Sequence, residues 1–98
     1  MISRLTGDII EKQAPVVVVD VQGIGYELLV PMSSFIGLPA INEKVVLHTE
    51  FVVREDSQTL YGFTQKRERK LFQILLKVNG VGAKMALGIL SAMDVDAF

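Results

Sequence analysis

At Thr64 the period of the apolar residues changes from two toward 3.6, so no single kind of regular element can carry the whole chain. Before that point the alternation predicts strands. Leu5, Gly7 and Ile9 share one face of the first, with Arg4, Thr6 and Asp8 on the other, and a glycine inside a strand often marks a bulge or sharp bend. Lys12 to Pro15 predicts a turn. Val16 to Val19, all β-branched, suits the centre of a sheet. Gln22 to Gly25 predicts a turn into a strand from Tyr26 to Val30, which Pro31 ends. From Pro31 to Pro39 the chain is too interrupted for a strand and predicts one helical turn or an ordered connector. A long strand follows from Glu43 to Arg54. Val45, Leu47, Thr49, Phe51 and Val53 lie on one face, with Val46, His48, Glu50, Val52 and Arg54 on the other. Arg54 to Gln58 forms a polar hairpin tip, and Thr59 to Phe63 returns from it.

Five short strands in about sixty residues predict a small closed or nearly closed barrel of the OB type, occupying residues 1–64. Residues 65–98 then predict helices. Thr64 is the expected N-cap. Leu71, Phe72, Leu75 and Val78 form an apolar stripe that Ile74 and Leu76 widen until the helix looks mostly buried, and Asn79-Gly80 ends it. Ala86, Ile89, Leu90 and Met93 recur at i, i+3, i+4 and i+7 on a second helix. Asp94 predicts a fresh N-cap, with Val95 to Phe98 opening a third helix that stops. The expectation is a chain cut within its second domain, with the order of residues 94–98 open.

Half of the residues are hydrophobic, enough for a real core. There is no cysteine, which excludes disulfides and thiolate metal sites. No signal-peptide core and no run of membrane-spanning length occurs, so a soluble cytoplasmic protein without membrane contact is expected. The net charge of −1 hides a polarity. Through Thr64 four basic residues stand against eight acidic ones, net −4; from Gln65 six stand against three, net +3.

The basic part carries Val78-Asn79-Gly80-Val81-Gly82-Ala83-Lys84, a glycine hairpin between two helices. Its glycines permit positive φ and close backbone approach, the next helix offers free N–H groups, and Lys84 adds a mobile charge. That combination suits a phosphate. Such contacts position a protein on nucleic acid without reading sequence. The plainer alternative is a helix C-cap and a short connector. The cluster Lys66 to Lys70 opposes the helix dipole, which favours an electrostatic role over a merely solvated helix start.

Glu55 and Asp56 are ordinary turn residues unless a partner is near; beside DNA they would repel phosphates and shape the path of the strands. A catalytic or metal-holding pair would need further ligands, and none is adjacent in sequence. Gly23-Ile24-Gly25 fails as a dinucleotide motif because its third position is Leu28, within a strand, and no helix follows. His48 is expected to be an ordinary surface histidine. No P-loop, nucleophile–base pair or metal-ligand spacing is present, so no catalytic residue, metal or cofactor is expected.

Five stretches together resemble the N-terminal half of the RuvA family of Holliday-junction recognition subunits: Met1 to Gly7, Gly23 to Glu27, Phe51 to Asp56, Leu60 to Phe63 and Asn79 to Lys84. They cover nearly the whole chain in the family's order. The resemblance implies an OB-fold domain followed by two helix-hairpin-helix motifs, a linker and a domain that engages the RuvB motor. It also implies a homotetramer, or an octamer, that holds four-way junction DNA open as a square, with RuvC resolvase in the junction complex. By the same resemblance Asn79, Gly80, Val81, Gly82 and Lys84 match the first hairpin, which grips the DNA backbone in the minor groove. Arg54 and Lys77 are auxiliary candidates. Glu55 and Asp56 match the acidic pin, and ATP hydrolysis belongs to RuvB. The second hairpin and the motor-binding domain are not in this sequence. Two other classes stay open: a metal-dependent nuclease built on Glu55 and Asp56, and an oligomerising protein-docking module.

Overall fold

The computed structural model describes residues 1–93; the expected third helix from Asp94 lies outside the described residues. Five strands close a barrel in the order β1-β2-β3-β5-β4. They are β1 (Arg4–Gln13), β2 (Val16–Val21), β3 (Ile24–Leu29), β4 (Lys44–Arg54) and β5 (Ser57–Phe63). Neighbours pair antiparallel except β3 and β5, which run parallel. The helical turn α1 (Met32–Phe35) fills the connector between β3 and β4. Closure, strand order and the position of α1 are those of an OB-type barrel, as the alternation predicts. Two helices follow, α2 (Lys66–Leu76) and α3 (Ala83–Ala92).

Closure depends on β1, which pairs with β4 through residues 4–8 and with β2 through residues 8–13. Gly7 sits at this crossing. A Cβ there would fall on the Asp20 carbonyl oxygen and 2.9 Å from Val19 Cγ1, so the glycine answers close backbone approach. The register shift lies farther on, between Ile9 and Glu11, rather than at Gly7. The second turn is tighter than expected. Only Gln22 and Gly23 are unpaired, both at positive φ (52° and 91°), as a type I′ hairpin requires, and Asp20 Oδ1 accepts the Gly23 N–H at 3.0 Å.

Two apolar clusters result. Leu5, Ile9, Val17, Val19, Leu28 and Leu47 fill the barrel with their neighbours. A second cluster lies outside it, where Val52, Tyr61 and Phe63 meet Phe72 of α2 and Ala86 and Leu90 of α3. The faces expected along β4 hold, but at its end burial passes to the outer face. Val52 is buried under the helices, whereas Val53 is 54% exposed beyond the barrel. Nor is α2 mostly buried: Ile74 and Val78 remain about half exposed, because only the side bearing Phe72 meets the sheet.

Thr64 does not cap α2. Gln65 is the N-cap residue and makes no side-chain cap bond. Instead Thr64 joins a polar knot around Glu68, which is 4% exposed. Ser33 and Ser34 each donate a hydroxyl to Glu68 Oε2 at 2.8 Å, Thr64 Oγ1 lies 3.3 Å from Oε1, and the Thr64 N–H donates to Ser34 Oγ at 3.0 Å. The knot fastens α1 to the start of α2. A second tie runs from the Met32 N–H to Ser91 Oγ on α3 at 3.0 Å. Removing the carboxylate would leave enclosed hydroxyls without acceptors, so Glu68→Ala should lower unfolding stability by about 3 kcal/mol. Glu68→Gln, which keeps one acceptor, should lose less. Urea denaturation of both variants checks this, and an unchanged midpoint in Glu68→Ala would contradict it.

Candidate nucleic-acid interface

Helix α2 ends earlier than the sequence suggests. The N–H groups of Lys77 and Val78 donate to Ile74 and Leu75 carbonyls, three residues back, and tighten the last turn. Asn79 and Gly80 then form the centre of a β-turn that the Val81 N–H closes onto the Val78 carbonyl at 3.1 Å. Gly80 sits at φ +84°, which the third position of a type II turn demands. Val81 packs partly buried against the helix–barrel cluster, so it anchors the hairpin, and its N–H is already engaged within it.

Gly82 differs from Gly80. Its φ of −89° and ψ of 176° are open to any residue, and a Cβ there would meet nothing within 4 Å. Neither backbone nor packing requires glycine. It is nevertheless the N-cap of α3, a position where serine, threonine, asparagine or aspartate would satisfy the first-turn donors. The first helical bond is Ala86 N–H to the Gly82 carbonyl at 2.9 Å, so the preceding N–H groups lack intrahelical acceptors. An uncapped, unobstructed helix start accepts an external anion.

The barrel reaches the same place. A groove between the β4–β5 hairpin and the start of α3 is lined by Arg54, Ser57 and Thr59 on one side and by Gly82, Ala83 and Lys84 on the other. Arg54 and Lys84, thirty positions apart in sequence, are both exposed along it. Tyr61 lines it too; burial raises its phenol pKa, and the charge of Arg54 acts in the opposite direction. Lys77 lies outside the groove at the C-cap of α2, where its charge complements the helix dipole. Glu55 and Asp56 are the two exposed turn residues between β4 and β5, a tighter tip than the expected five. Among the described residues, no three of His, Cys, Asp and Glu come together as a metal site would need. Among them also, no helix is long and apolar enough to cross a membrane.

A second cationic group lies at the other end of α2. Arg4 and His48 face each other across β1 and β4, and with Ser3, Lys66 and Arg69 they line a pocket. His48 is therefore not the plain surface histidine expected. It is half-buried, and burial first, then the charges of Arg69, Lys66 and Arg4, lower its pKa below 6.5. The spacing of Lys66 and Arg69 at i, i+3 hinted at a shared helix face, but the pairing of residues 4 and 48 is a product of barrel register.

Residues 1–62 match the family model described as the RuvA N terminal domain. Over all 98 residues the chain is 61% identical to the Holliday junction branch migration complex subunit RuvA of Shewanella frigidimarina (strain NCIMB 400), covering 48% of that protein. Proteins of the same name are 62% identical over 96 residues in Methylobacillus flagellatus, with 98% of this chain and 50% of the relative covered. In Haemophilus ducreyi the identity is 59% over 98 residues, with all of this chain and 49% of the relative covered. The chain spans about half the length of the curated relatives it matches.

The contrast between the two glycines is testable. Gly80→Ser should lower stability by about 1–2 kcal/mol through left-handed backbone strain. Gly82→Ser should leave stability unchanged or raise it by up to about 1 kcal/mol by capping α3. Equal losses at the two positions in urea denaturation would refute the distinction.

Proposed function

Because the chain belongs to the RuvA N-terminal domain family, we propose that it supplies a DNA-gripping part of a Holliday-junction branch migration subunit. The observation that carries this reading is the uncapped Gly82 at the start of α3, beside Arg54 and Lys84 in one groove. A backbone phosphate seated there receives N–H donors, the positive end of a helix dipole and two mobile cations. The contact involves no base edge, so attachment is independent of sequence.

The proposed division of labour places assembly and the acidic tip in residues 1–64 and the first helix-hairpin-helix motif in residues 65–98. Asn79 and Gly80 shape the hairpin, Val81 anchors it, and Gly82 and Lys84 hold phosphate. Arg54 extends the contact from the barrel, and Lys77 gives more distant electrostatic support. Glu55 and Asp56 repel phosphates next to the point of attachment. In a four-fold assembly their copies would converge and hold strands apart. The subunit is non-catalytic on this reading. ATP hydrolysis belongs to a RuvB-type motor, and a RuvC-type resolvase acts on the same junction, in homologous recombination and DNA repair in the cytoplasm.

The protein should bind four-way junctions in preference to linear duplex of the same composition, with affinity falling steeply as salt rises. Equal binding to both DNAs across a salt titration would refute structure selectivity. Lys84→Ala should reduce the slope of log affinity against log salt by about 1. Gly82→Ser should weaken DNA binding although it leaves the fold intact, because its side chain occupies the phosphate approach. A stable Gly82→Ser variant of native affinity would remove the central observation from the reading.

Neutralising the tip tests the repulsion. The Glu55→Gln, Asp56→Asn double variant should bind junction DNA more tightly than the native protein at low salt, because two nearby negative charges are gone. Weaker binding by a correctly folded double variant would contradict the role of the acids.

A further inference from the structure

We propose that Arg4, His48, Lys66 and Arg69 form a second oxyanion site, of the class that holds a phosphodiester, at the end of α2 remote from the glycine hairpin. Five residues line the pocket, Ser3 being the fifth, and among the described residues none of the lining groups is a carboxylate. Arg4 and His48 are cross-strand partners, and Lys66 and Arg69 project from adjacent turns of one helix. Lys66 and Arg69 are like charges three positions apart, which opposes folding of the helix. The first turn of α2, which no side chain caps, borders the same pocket through Lys66 and adds the positive end of a dipole.

Neighbouring acids do not neutralise the cluster. Glu68, on the same helical turn, is turned into the Ser33–Ser34–Thr64 knot. Glu50, two residues along β4 from His48, accepts from Gln73 Nε2 at 2.9 Å. Arg69 is fixed in place rather than left to swing away: its Nη1 donates to the Ser3 carbonyl at 2.8 Å, which leaves its other N–H groups for a ligand. Three permanent cations and a titratable ring, one of the cations pre-oriented, converge on a concavity that no carboxylate lines among the described residues. A tetrahedral oxyanion answers that arrangement.

Geometry favours nucleic acid as its source. Helix α2 has 11 residues and is therefore about 16 Å long. The oxyanion pocket lies at its start and the glycine hairpin just past its end. His48 and Arg54 also share one face of β4, so both sites open beside the same helix-covered sheet surface. A strand of B-DNA carries a phosphate about every 3.4 Å along its axis, so two sites about a helix length apart lie within the span of one duplex. This extension to DNA rests on the proposed function above. The oxyanion site itself does not.

His48 is the only histidine in the chain, so its ring signals in NMR need no assignment. The charged groups facing it are Arg4 from β1 and Lys66 and Arg69 from α2; Phe63 is its partner on β5. Burial and these cations hold its pKa low, and a bound anion must raise it. Sulfate is the probe, since it carries no proton equilibrium between pH 5 and 8, and chloride at matched ionic strength controls for screening. Sulfate should move the His48 titration to higher pH saturably in the native chain, and should fail to do so in an Arg4→Gln, Lys66→Gln double variant. That variant should also lower the salt slope of DNA binding by about 2, and a Lys44→Gln, Lys70→Gln control by less than half as much.

A sulfate response no larger than that of chloride overturns the site. A sulfate response with an unchanged DNA slope supports the oxyanion site and identifies a free phosphate-type anion as its source. Should the native chain bind no DNA at all, the proposed function fails and the sulfate titration alone decides the site. Both responses together establish a second phosphodiester contact.

Discussion

Phe72 wedged against Tyr61 and Phe63 is the contact on which the layout of both charged sites depends. Its ring centroid lies 4.9 Å from that of Tyr61 and 5.1 Å from that of Phe63, in tilted pairs that favour edge-to-face attraction. Burying such a side chain contributes about 2–3 kcal/mol, and each aromatic pair adds about 0.5–1.5 kcal/mol. Tyr61 and Phe63 are two residues apart on the outer face of β5, so the wedge fixes α2 against the closed barrel at mid-length. With its centre fixed, the helix holds its first turn beside Arg4 and His48. It also delivers its last turn, and the hairpin beyond, to the end of the β4–β5 ribbon. The same aromatic contact thus brings Arg54 and Lys84 into one groove, although neither touches Phe72.

The barrel was legible because its strands are alternating or β-branched runs separated by turn residues. What escaped was set by elements distant in sequence. Val52 is buried and Val53 exposed because helices cover the outer face of β4, and no periodicity within β4 records that cover. Thr64 loses its expected capping role to Gln65 because Glu68 recruits hydroxyls from Ser33 and Ser34, about thirty residues away. The acid looked like one more charge in a basic, solvated helix start. The stripe through Ile74 and Val78 overstated the buried side of α2 because hydrophobicity reports what could be buried, whereas the sheet meets only one side.

The candidate site was legible in part. Its residues were singled out from glycine spacing, charge polarity and resemblance, and the hairpin lies where the change of period placed a connection. The unequal roles of the two glycines were not legible, since both allow any φ and only the folded backbone distinguishes them. Gly80 serves conformation. Gly82 has an ordinary conformation and open space around it, so its missing side chain has no explanation within the fold. That makes it the more informative of the two about function.

The two charge signs meet within three consecutive residues, Arg54, Glu55 and Asp56, and this bears on how a junction would be handled. Screening at physiological salt confines the field of exposed charges to about 8 Å, so the acids are felt only near the tip. On the proposed reading, a phosphate at the groove is held while one displaced toward the tip by a nucleotide or two is driven off. The β4–β5 turn contains only two residues, so both acids lie beyond the last strand pair, Arg54 with Ser57. A longer loop would let the acids fold back onto Arg54 and cancel it. On the proposed reading, the shortness of the turn therefore matters as much as its charge: it sets both acids next to Arg54 but beyond the last strand pair.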